Sequence, residues 1–113
     1  MKKDLKEQDP NGLDPHAPGA KLDHGKVMVG VMISGFSRAL NEVAKVSTHG
    51  AEKYSIGGWA HVDDGIRRYT DAMGRHHLAE AWEAVDEPSG LLHAAQVAWN
   101  SLARLELMMR EKK

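Results

Sequence analysis

Apolar and polar positions divide the chain into one stretch without period and three with helical period. Residues 1–25 hold Pro10, Pro15 and Pro18 among glycines and alternating charges. That composition favours an extended, mobile arm over a packed element. From Ser34 to Thr48, Phe36, Ala39, Leu40, Val43 and Ala44 recur at helical spacing and predict a first helix. His49-Gly50 should end it, because glycine suits a left-handed C-terminal cap. A loop is expected over 50–62, where Gly57-Gly58 interrupt the pattern and Tyr54 and Trp59 stand exposed.

A second helix is expected over 63–85, with Asp63 and Asp64 placed to meet its positive N-terminal dipole. Ile66, Tyr69, Met73, His76, Glu80 and Glu83 share one stripe at about 100° per residue. Gly74, Leu78 and Trp82 form a second packing surface on the other side. Pro88-Ser89 should cap a third helix over 90–110. Along it Leu91, Ala95, Ala98, Leu102, Leu105 and Met109 keep heptad-like spacing, while His93, Gln96 and Asn100 make a narrow polar stripe. A helix apolar on so many sides needs cover that three helices in one chain do not supply, so self-association into a dimer or tetramer is expected. The pattern therefore reads as all-α: a small bundle of about three main helices, an extended arm at 1–25, a helical domain at 26–113, and completion by oligomerisation.

Length and charge narrow the function. The 113 residues suit a single domain. With no cysteine, disulfides and thiolate metal sites are excluded. A net charge of -1 gives no electrostatic footprint for duplex nucleic acid. The longest apolar stretch, Val27 to Ile33, is short and broken by Gly30, so no membrane partner or signal segment is expected and a cytoplasmic location is.

Several polar residues fall where the helical stripes would otherwise be apolar, which is how a helix builds a pocket. Glu80, Glu83 and Asp86 are the sharpest group, since on one helix face their carboxylates could converge on a hard divalent cation such as Mg²⁺. A solvated acidic helix end is the bland alternative. His76 and His93 occupy inward positions on two helices, either as core histidines each satisfied by one hydrogen bond or, with Asn100, as a pocket wall. Lys21, Lys53 and Arg75 could contact phosphate, or simply face solvent. Tyr54 and Trp59 could stack a base, or pin the loop to the helices. The chain has no phosphate-binding P-loop, Rossmann glycine pattern, nucleophile elbow or His-Glu-x-x-His motif.

The ordered set Gly50-Ala-Glu-Lys-Tyr, Gly58-Trp59, Arg68-Tyr69, Asp71-Ala72, Arg75-His76, Asp86, Ser89-Gly90-Leu91, His93-Ala-Ala and Trp99-Asn100 resembles the small phage and prophage dATP/dGTP diphosphohydrolases, a MazZ-like family. The likeness extends to Gly19-Ala-Lys-Leu-Asp23 and covers roughly residues 19–110. It implies metal-dependent cleavage of purine deoxynucleoside triphosphates to monophosphate and pyrophosphate, by a phage enzyme in the host cytoplasm. It further implies Lys53, Tyr54, Trp59, Arg75, His76, Asp86, His93 and Asn100 as nucleotide-pocket residues, with Lys21 of the arm beside them. Kinship with helical MazG-type pyrophosphohydrolases would supply carboxylate-bound Mg²⁺ (or Mn²⁺) and a homo-oligomer. On this reading Glu80, Glu83 and Asp86 are both catalytic and metal-binding. A different class remains open: a non-catalytic phage nucleotide-binding protein that sequesters a host signalling nucleotide, using the basic and aromatic residues without the carboxylates.

Overall fold

The computed structural model describes residues 7–111. They form four helices, α1 (Val29–Gly35), α2 (Ser37–Lys53), α3 (Gly65–Ala79) and α4 (His93–Glu111), with a two-residue hairpin, β1 (Val85–Asp86) and β2 (Leu91–Leu92). The protein is thus mainly helical, as the periodicity indicates. The chain divides into two compact units, Met1–Gly35 and Phe36–Lys113.

In the N-terminal unit, residues 7–26 are turns gathered around Asp9. Its Oδ2 accepts from the backbone N–H of Asn11 and Leu13 at 2.8 and 3.2 Å, and its Oδ1 from that of Lys21 at 2.9 Å. These backbone donors, that of Lys21 foremost, hold the Asp9 pKa below its ordinary value, because a carboxylate fed by N–H groups favours the charged form. A short helix, α1, closes this unit.

The second unit is built on α3 packed along α4, the most extensive contact between elements, with α2 laid on α4. Val43, Val46, Ala95 and Ala103 are its buried apolar residues. Between α2 and α3, a 3-10 turn at Gly58–His61 brings Trp59 against Tyr69 and Trp99. The three rings meet edge to face with centroids 5.5–6.4 Å apart, a geometry that ring quadrupoles favour. The Tyr69 hydroxyl donates to the Trp59 carbonyl at 2.7 Å, and the Trp99 indole N–H to Ser47 Oγ at 2.9 Å. Further pins between α3 and α4 run from Arg104 to Thr70 Oγ1 (2.6 Å) and from the Ser101 hydroxyl to Met73 sulfur (2.9 Å).

The helix boundaries differ from those the sequence suggests. α2 runs through Gly50 to Lys53, because Ala51-Glu52-Lys53 are good helix formers and carry the turn past a single glycine. The left-handed glycine is Gly57 instead, at φ 78°. α3 starts after Asp64, itself left-handed at φ 55°, whose carboxylate binds Arg67 Nε at 2.6 Å rather than capping the helix. It also stops at Ala79, six residues short of the expected end, and α4 begins at His93, with Ser89 in the hairpin turn. Leu78 and Trp82 are 66% and 72% exposed, so among the described residues they do not form the second packing surface.

Ala103, 4% exposed on α4, reports this packing. Ala103→Leu should lower unfolding stability by about 1–3 kcal/mol through overpacking, whereas Ala94→Leu at an exposed position of the same helix should change it by less than about 0.5 kcal/mol. Urea denaturation of both variants checks this, and equal effects would contradict the placement of the core.

Candidate metal centre

The early end of α3 makes the site. After Ala79 the chain turns through 80–84, enters the hairpin, and returns to start α4 at His93, whose backbone N–H donates to the Ala84 carbonyl at 2.9 Å. This detour wraps residues 83–92 around His93, which is 3% exposed. Its ring is held at both nitrogens. Nε2 lies 2.9 Å from Glu83 Oε2, and Nδ1 lies 2.8 Å from Nδ1 of His76 on α3.

Only one proton arrangement of neutral rings satisfies both contacts. A carboxylate can only accept, so His93 Nε2 carries the proton and its Nδ1 offers a lone pair. The proton between the rings then belongs to His76 Nδ1. These tautomers are assigned from the network. The His76 pKa lies below its ordinary value, first because burial disfavours the imidazolium and then because His93 and Arg75 add to that effect, with Asp86 opposing. Neutral imidazoles are what a metal ion requires.

Asp86 completes the group. One donor atom each from His76, Asp86 and His93 lie within 4.8 Å of one another. The Asp86 carboxylate is fixed by Ser89, whose hydroxyl donates to Oδ2 at 2.8 Å while its oxygen accepts the Leu91 N–H at 3.1 Å. Gly90 makes the turn at φ 73°. Two of the three ligand candidates are therefore oriented by an outer partner, His93 by Glu83 and Asp86 by Ser89, as metal-site ligands usually are.

This geometry corrects the basis on which Glu80, Glu83 and Asp86 were grouped. With α3 ending at Ala79 the three do not share a helical face. Glu80 Oε1 contacts the exposed His77 Nδ1 at 3.0 Å, Glu83 is engaged with His93, and Asp86 lies in β1 beside the histidines. The other expected residues have their own settings. Arg75 is exposed on α3, close enough for its charge to act on His76. Asn100 is buried, its Nδ2 donating to the Gln96 carbonyl at 2.8 Å. Trp59 is taken up by Tyr69 and Trp99, with the Arg110 guanidinium 5.4 Å from its ring centroid. Lys53 stands over the exposed Tyr54 ring at 5.1 Å. Lys21 belongs to the N-terminal unit, its backbone N–H on Asp9.

Ser89 and Leu91 of the hairpin also line an open groove of about 300 Å³ whose other wall is α2: Asn41, Ala44, Lys45, Thr48, His49 and Glu52. Ser89 thus touches the groove and holds Asp86. The sequence pattern does not single out Asn41 and Lys45, because they read as the solvated side of an amphipathic helix. For Mg²⁺, which takes oxygen ligands, the cluster offers only the Asp86 carboxylate, whereas for a divalent ion of mixed nitrogen and oxygen preference it offers three donors.

The chain matches the family model described as dATP/dGTP diphosphohydrolase, N-terminal, over residues 16–113. It belongs to that family, and the matched span contains His76, Asp86 and His93. No curated protein and no solved structure gave a match.

The depressed His76 pKa has a consequence for stability. As pH falls below about 6.5, the unfolded chain takes up this proton before the folded one, so stability falls until the folded pKa is passed. The urea midpoint should therefore drop between pH 7 and pH 5, and His76→Gln should flatten that drop. An equally steep pH dependence in the variant would contradict the assignment.

Proposed function

We propose that the protein is a metal-dependent pyrophosphohydrolase of purine deoxynucleoside triphosphates, with the divalent cation held by His76, Asp86 and His93. One observation supports this reading above the others: within a dATP/dGTP diphosphohydrolase family match, the structure gathers two imidazoles and a carboxylate, with outer partners on His93 and Asp86. When bound, the cation neutralises phosphate charge and lowers the pKa of a coordinated water.

The chain's own residues do the rest. Glu83 keeps His93 in the tautomer that presents Nδ1. Ser89 keeps Asp86 turned toward the histidines and joins them to the groove. That groove receives the nucleotide, with His49 and Lys45, the latter drawn from its exposed pair with Glu42, facing the triphosphate and Asn41 facing polar base edges. Arg75, exposed next to the cluster, steadies the charge that develops on the departing pyrophosphate.

The exposed apolar positions of the helical unit support an oligomer as part of the same proposal. Leu102, Leu105 and Met109 are 48%, 53% and 55% exposed along one side of α4. Spacings of three and four residues along one face are those of a helix seam, and a second copy of α4 is the matching surface. Buried apolar area contributes roughly 25 cal/mol per Å² to such an assembly.

Two measurements follow. Purified protein incubated with each deoxynucleoside triphosphate and a divalent cation should release monophosphate and pyrophosphate from dATP and dGTP. Asp86→Asn should reduce this to background, and Ser89→Ala should lower kcat/KM by about 10-fold. Intact nucleotide in every mixture would refute the enzymatic reading, and recovery of tightly bound intact nucleotide without metal would favour sequestration. Light scattering should give a multiple of 12.4 kDa, shifted toward the monomer by Leu105→Glu. A monomeric mass for the unsubstituted protein would refute the assembly.

A further inference from the structure

We infer that the His76–Asp86–His93 centre is a nucleotide-independent site for a first-row transition-metal ion, and that it selects such an ion over Mg²⁺. The inference rests on the proposed function for the location of the site, but its content is the chemistry of the donors.

Two of the three donors are imidazole nitrogens, and Nδ1 faces Nδ1 at 2.8 Å across the α3–α4 contact. An ion bound at about 2.1 Å to two imidazoles holds those nitrogens about 3.0 Å apart at a right angle and about 3.4 Å apart at a tetrahedral one. The 2.8 Å separation already present is close to the right-angle value, so the helices are near enough to hold one ion between them once the rings turn to aim both nitrogens at it. One proton must also move. In the metal-free state the His76 Nδ1 proton occupies the space between the rings. Transfer of His76 to its other neutral tautomer would free a second lone pair, and both nitrogens would then face an ion lying to one side of the line between them. His93 needs no change, since Glu83 already holds its proton at the far nitrogen.

The same arrangement disfavours Mg²⁺. That ion gives up water reluctantly and takes hard oxygen ligands, of which the cluster has one carboxylate. Imidazole nitrogen suits Mn²⁺, Fe²⁺, Co²⁺, Ni²⁺ and Zn²⁺, with affinity rising along the Irving–Williams order. The carboxylates that would suit Mg²⁺ are placed otherwise: Glu83 serves as the orienting partner of His93, and Glu80 pairs with the exposed His77. Because His93 is buried and both its nitrogens are engaged, the donors are ordered before any nucleotide arrives.

Isothermal titration of the nucleotide-free, full-length protein with Co²⁺ and, separately, Mg²⁺ tests this. One Co²⁺ per chain should bind at least 100-fold more tightly than Mg²⁺, with a visible d–d absorption indicating nitrogen ligation. His76→Gln and His93→Gln should abolish the tight phase, Asp86→Asn should weaken it, and His77→Gln should leave it intact. Circular dichroism shows which variants fold. For any that does not, Mn²⁺ added to the unsubstituted protein should broaden the His76 and His93 ring resonances before those of His16, His24 and His77. Comparable Co²⁺ and Mg²⁺ affinities, tight binding that survives both histidine substitutions, or broadening that begins at other histidines would overturn the inference. Failure of the two ideas is separable. Hydrolysis supported by Mg²⁺ with no tight Co²⁺ binding removes only the selectivity, and tight Co²⁺ binding without hydrolysis of any nucleotide removes only the enzyme.

Discussion

The contact between His76 and His93 governs the helical unit. A buried imidazole is tolerated only if its nitrogens find partners, since an unpaired polar group away from water costs roughly 1–3 kcal/mol. His93, almost fully buried at the first position of α4, meets that demand with His76 across the helix pair and Glu83 from the connecting segment. Its backbone N–H adds a third tie, to Ala84. Together these contacts set the register of α4 against α3 and draw residues 83–84 onto the start of α4. α3 therefore has to end at Ala79, and the hairpin that carries Asp86 has to form where it does.

That dependence explains which features were legible in the sequence. The three main helices follow from apolar residues at helical spacing, and that periodicity needs no tertiary information. The end of α3 does not follow, because Ala79-Glu80-Ala81-Trp82-Glu83-Ala84 has good helix propensity and continues the stripe of Tyr69, Met73 and His76. A buried histidine fourteen residues beyond Ala79 overrides that local preference. Gly50 shows the reverse case, a residue with a strong stop signal that the surrounding helix formers absorb.

Of the cluster, the sequence marks only Asp86 as a candidate metal ligand and reads His76 and His93 as pocket or core histidines. His76 and His93 stand out as polar residues at inward helical positions, and Asp86 by its spacing from Glu80 and Glu83. Their convergence, however, depends on the detour after Ala79, so the carboxylates Glu80 and Glu83 look equivalent to Asp86 until the turn separates them. Ser89 looks like a helix cap and is instead the support of Asp86. Asn41 and Lys45 give no signal, because a polar residue on the outer side of an amphipathic helix is the ordinary case, and His49 is read only as part of a helix stop. Trp59, equally suited to a base or to the helices, is committed to Tyr69 and Trp99.

The account stands on where a divalent ion binds. The most direct measurement is an anomalous difference map from crystals of the protein grown or soaked with Mn²⁺. The account expects one peak per chain within coordination distance of His76 Nδ1, His93 Nδ1 and an Asp86 carboxylate oxygen, with Glu83 still on His93 Nε2. A peak held by Glu80 and Glu83 away from the imidazoles, or no peak at the cluster at saturating Mn²⁺, would contradict it.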